Sequence, residues 1–233
     1  MNFGFNSAKY DFWPLYESIN HYYPIGLSPT SPDAEDPSWQ IYPKFKGQQE
    51  FGKLVDENFG NEEIFAKKWT SIRLQIGENL NLPTVGTTLG SAPSFSFYLE
   101  VSSQKVGNHS IFQRLHVAIS LLGQFFSIWG QDGTMLQLNG KFYPATNVIT
   151  VSPFEEYVIL FDKVYQEILE RFPHYKFVPY GLHNKTIPGL ELRRNSWPRG
   201  RNGLIYHALF NYLLTGDEAT RGDMYFSDYH WSI

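Results

Sequence analysis

The densest group of chemistry-bearing side chains is Arg193, Arg194, Arg199 and Arg201, interrupted by Asn195, Ser196, Trp197 and Pro198. Guanidinium forks bind carboxylate or phosphate through paired hydrogen bonds, and an indole among them offers a stacking face. Arg193, Arg194, Trp197, Arg199 and Arg201 are therefore the expected ligand- or partner-binding residues. An acidic protein surface is favoured over a nucleotide or nucleic acid, because the chain carries a net charge of −4 and no global basic field. The same loop leads into a helix predicted over Asn202–Leu214, whose N-terminus adds its own preference for anions. The plainer alternative is a solvated basic loop paired with neighbouring acids.

A second group, His174, His183 and Lys185, surrounds a short edge strand predicted over Tyr175–Val178. A histidine there could act as a general base beside a carboxylate such as Glu191. Loop hydrogen bonding around the turn-favouring Asn184 is the competing reading. Asp223, Asp228 and His230 have metal-ligand side chains, but their spacing matches no ligand pattern, so neither a metal nor a cofactor is expected. His116 alternates with Leu115 and Val117, so it faces away from the apolar side of its strand and reads as solvated or sheet-packed rather than as a ligand; His207 sits near an apolar stripe, and the same reading applies. The sequence holds no Walker-type phosphate loop, no G-x-G-x-x-G, no H-E-x-x-H and no G-x-S-x-G. With no cysteine, thiolate chemistry and disulfides are excluded. No catalytic residue is assigned.

Hydrophobic periodicity supplies the elements that must carry these residues. Phe95, Phe97, Leu99 and Val101 alternate with polar neighbours, as do Leu115, Val117, Ile119 and Leu121 over Arg114–Leu122, the period-two pattern of half-buried strands. Gly123-Gln124 fits a type II′ turn leading to a strand over Phe125–Trp129, with further turn signals at Asp132-Gly133 and Asn139-Gly140. Such close spacing predicts an antiparallel meander over residues 94–150. Helices are predicted around Phe51–Phe59, from an Asn61 cap to a Gly77 stop, and over Pro153–Phe172 with a Ser152/Glu155 capping box. Residues 1–45 mix aromatic rings with prolines and read as an irregular arm packed on the domain.

The expected fold class is a single α+β domain of 233 residues, an antiparallel meander covered by amphipathic helices. No run approaches the ~18 apolar residues of a membrane span, and the N-terminus lacks the basic-then-apolar pattern of a secretory signal, so a cytoplasmic location is expected. Aromatic residues make up 17% of the chain, enough to serve as interface anchors as well as core. The leading functional expectation is a non-catalytic protein-binding protein, of which an immunity-type inhibitor of a secreted toxin is one form. The alternatives are an enzyme acting on an anionic substrate and an assembly or structural component whose aromatic arm reaches a neighbour.

Overall fold

A computed structural model of the chain describes residues 8–26, 45–89, 92–190, 192 and 203–233. Its centre is a seven-stranded, mostly antiparallel sheet: β1 (Thr84–Gly86), β2 (Ser94–Val106), β3 (His109–Ser120), β4 (Phe125–Leu138), β5 (Lys141–Thr150), β6 (Lys176–Phe177) and β7 (Ala219–Arg221). The order is β1-β2-β3-β4-β5-β7, with β6 pairing parallel to the start of β4 and β7 parallel to the end of β5. Both parallel pairings follow long connections, as parallel geometry requires.

The alternation seen in the sequence sorts the side chains of the inner half of the sheet into two sets. Phe95, Phe97, Leu99, Leu115, Val117, Ile119, Phe126 and Ile128 point to one side, where they meet Phe161, Val164, Tyr165 and Ile168 of helix α5 (Val158–Arg171). Trp69 and Ile76 join them from a continuous helical stretch, α3 (Glu62–Phe65), a π turn (Ala66–Thr70) and α4 (Ser71–Leu80). Asn61 caps this stretch, its side chain accepting from the backbone of Glu63 and Ile64. Helix α2 (Lys46–Phe59) precedes it.

The opposite side of the same strands is also covered, where the pattern predicts solvent. Helix α1 (Trp13–Tyr22) brings Leu15 and Ile19, helix α7 (Ile205–Leu209) brings Ile205 and Leu209, and Phe210, Leu214 and Trp231 complete the layer. Ser94, Ser96, His116, Ser120 and Ser127 are therefore buried rather than wet. Hydrogen bonds make part of this tolerable: Ser94 Oγ donates to Phe210 O at 2.8 Å, and Trp129 Nε1 donates to the Tyr206 hydroxyl at 3.1 Å. The C-terminal segment docks through Trp231, whose Nε1 donates to Phe177 O at 2.9 Å.

Several elements differ from the sequence reading, each for a local reason. Residues 13–22 of the expected irregular arm form a ten-residue helix, because Pro14 occupies the first turn, where no amide bond is lost, and no proline follows until position 24. The helix expected from Pro153 starts at Val158, after a 3₁₀ turn over Glu155–Tyr157. Ser152 Oγ accepts from the Asp223 amide instead of closing a capping box, and Glu155 and Glu156 turn to Arg221. The last helix is five residues, not thirteen. Asn81, not Gly77, takes the left-handed conformation after α4. Asp132-Gly133 is no turn: β4 runs straight through it. Asn139-Gly140 does turn, with φ of 50° and 75°. Gly123-Gln124 is not a two-residue type II′ turn: residues 121–124 connect β3 to β4, and Gly123 does not take the positive φ that turn requires.

Candidate functional site

The arginine-rich segment of the sequence analysis, Arg193, Arg194, Trp197, Arg199 and Arg201, lies outside the described residues, as does Glu191. Its flanks are fixed close together: the Gly203 amide donates to Leu190 O at 3.3 Å, and Thr186 bridges to Leu204. His174 is exposed in the turn after α5 and Lys185 is exposed after the short helix α6 (Tyr180–His183).

His183 is different. It is buried, ringed by Tyr180, Tyr206 and Phe210 with centroid distances of 5.5, 4.8 and 6.0 Å. Burial holds its pKa down to about 3; the Val178 backbone lies near enough to oppose this, yet neither ring nitrogen has a hydrogen bond of ordinary geometry. No hydrogen bond, ion pair or ring contact joins His174, His183 and Lys185. His116 is likewise buried and neutral, stacked on Trp129 at 4.0 Å and 4°, with Nε2 bonded to Gln131. Among the described residues no group of three acids or histidines is placed to hold a metal; Asp223 Oδ1 accepts from the Tyr225 amide.

What the sequence did not signal is the outer half of the sheet. Covering ends at a row that is polar on three strands and ends on Val148 of the fourth: Ser102 pairs with Gln113, Gln113 with Asp132 and Asp132 with Val148. Gln113 Nε2 donates to Asp132 at 2.8 Å and reaches Glu156 at 3.3 Å. Arg221 closes this border, donating to Asp132 at 2.5 Å, Glu155 at 2.7 Å, Glu156 and Thr150. Three carboxylates on one guanidinium raise its pKa against the opposing effect of burial.

Beyond that border the four long strands continue with no covering layer among the described residues. Register aligns Val106, His109, Leu136 and Tyr143 in one row, and Gln104, Ile111, Thr134 and Thr146 in the row beneath it. Both rows face the side that α5 covers further in. Val106, Ile111, Leu138 and Tyr143 are 54, 47, 44 and 48% exposed, which for side chains of this size on paired strands makes a contiguous apolar surface. Residues 101–113 and 133–147 contain Lys105 and Lys141 and no acid, so this tip is cationic on a chain that is anionic as a whole.

No known family model, curated protein or solved structure matches this chain.

Proposed function

We propose that this protein acts by binding another protein rather than by catalysis, and that it grips the partner with the outer half of its sheet. The observation that carries this is the bare four-stranded tip: ordered strands hold Val106, Ile111, Leu138 and Tyr143 out of the protein's own core. Rigid strands lose little entropy on docking, and large apolar side chains with an aromatic among them are the residue types that anchor interfaces. An inhibitor that occludes a toxin is the form of this reading with the sharpest test. The chain should be co-expressed with the products of adjacent genes, and complexes sought by size exclusion with light scattering at low and high salt. A stoichiometric complex that persists at high salt is the expected result. If no neighbour binds, or binding vanishes with modest salt, the reading fails.

Among the described residues no helix is long and apolar enough to cross a membrane. A soluble partner in the same compartment is the simplest setting for the proposal, with the cytoplasm as the proposed compartment.

A further inference from the structure

Building on the protein-binding reading, we infer that the partner docks face-on against the bare side carrying Ile111, Leu136 and Tyr143, and presents there an apolar patch rimmed by carboxylates.

The edges of the tip are poorly suited to the alternative, addition of a partner strand. On β5 the segment 141–147 is paired on one side only among the described residues, since β7 reaches only Val148–Thr150. This edge contains Pro144, which has no amide to donate, and a register shift opposite Thr134 and Met135. The β2 edge beyond Leu99 is open as well, but a register shift between Glu100 and Ser102 twists it and Lys105 stands near its end. Bulges, proline and lysine are the devices by which edges resist strand pairing.

The two faces of the tip are not equivalent either. On the α1 side Phe112 is buried: its ring lies so close over Gly133 that a Cβ there would come within 2.3 Å of it. The Arg114 guanidinium then covers the ring at 4.1 Å. That face has filled itself, leaving Phe142 as its one large exposed ring. On the α5 side no described residue roofs Ile111 or the Val106–Tyr143 row, and the nearest carboxylates, Asp132 and Glu156, are already occupied by Arg221.

Charge selects the occupant. Register puts Lys141 on the bare face opposite Leu138 and Lys105 on the other face opposite Ser110; with no acid in the tip to oppose them, the two give this end of the sheet a positive field, and Lys141 attracts a patch edged with Asp or Glu. The same charge opposes a symmetric dimer through this face, which would bring the two Lys141 ammonium groups together.

The test uses the full chain and the complex recovered by co-expression with an adjacent gene product. Ile111→Ser with Tyr143→Ser should weaken that complex by about 30-fold or more, as the loss of interface anchors does. Lys105→Glu with Lys141→Glu should cost about tenfold at low salt, chiefly in association rate. Phe142→Ser, on the other face, should stay within about threefold of the parent. Thr146→Glu, an exposed position in Ile111's own row, should also weaken binding and guards against a misfolded double variant. The chain alone should run as a monomer in light scattering. The inference is overturned if the double variant and Thr146→Glu bind like the parent, if Phe142→Ser alone abolishes binding, or if the free chain dimerises through the tip. Absence of any complex overturns the protein-binding reading and this inference together; a complex indifferent to the bare face overturns this inference alone.

Discussion

The inner and outer halves of the sheet are built from the same four strands and obey the same alternation, yet they live in different surroundings. Inside the Gln113–Asp132 border both faces are roofed, and polar side chains such as His116 and Ser127 are sealed in along with the aromatic core. Outside it, on the α5 side, Val106, Ile111, Leu138 and Tyr143 face water. The difference shows that alternation fixes which residues share a face, while the reach of the covering helices decides whether that face is core or surface. Helix α5 ends its cover near Tyr157, whose hydroxyl donates to Gln131 O at 3.0 Å, just where the ion network begins.

The sharpest way to break this contrast is to cut into each half and compare. In the inner half, Phe161 is fully buried against Phe177 and Phe226, at 6.0 and 5.5 Å between ring centroids. Phe161→Ala should cost about 3–5 kcal/mol in chemical denaturation, the usual penalty for emptying a core ring site. A cost near zero would mean that α5 does not cover the sheet as described.

A second contrast is in acid. Burial holds His116 at about 3, with Arg114 pushing the same way and the Gln131 hydrogen bond opposing, and burial holds His183 at about 3. Unfolded histidine titrates near 6.5, so the unfolded chain takes up protons that the folded chain refuses. Stability should be level above pH 6.5 and fall as pH drops from there toward 3, by about 2 kcal/mol per histidine at pH 5. His183→Leu should remove its share of that slope. It should also leave stability at pH 7.5 unchanged or higher, because both ring nitrogens are buried without partners. A steeper slope or a clear loss at neutral pH in this variant would contradict the burial described.

The border between the halves gives a smaller effect. Arg221→Ala leaves Asp132, Glu155 and Glu156 facing one another without their cation. Arg221 and its partners are partly solvated, so the expected cost is about 1–2 kcal/mol, and added salt should shrink the difference between variant and parent. Salt-independence would show that the guanidinium acts through packing on β7 instead.

Much of the inner architecture was legible in the sequence, because local rules and tertiary environment agree there. Phe95 to Leu99 and Leu115 to Ile119 alternate cleanly, Phe161 and Ile168 fall on one helical face, and Asn61 caps as its type dictates. The rest depends on partners distant in the chain. Asp132-Gly133 reads locally as a turn, but Arg221 and Gln113 hold Asp132 in the strand and Phe112 fills the space over Gly133. Ser94, Ser96 and His116 read as a wet face because nothing nearby in sequence announces that α1 and α7 will cover them. The bare face was hidden for a related reason: Val106, Ile111, Leu138 and Tyr143 come from four strands, two register shifts intervene, and only the pairing brings them into one surface. Of the histidines singled out for chemistry, His183 proved to be sealed and His174 exposed, a distinction that spacing alone does not carry.

The smallest predicted effect is also the most direct test of the central claim, that the outer half of the sheet contributes binding surface and not core. Equilibrium unfolding of the Ile111→Ser, Tyr143→Ser double variant should give a free energy within about 1 kcal/mol of the parent with an unchanged denaturant slope. A loss of about 3 kcal/mol or more, the scale of the Phe161→Ala cut, would place these side chains inside the protein's own packing and contradict the account.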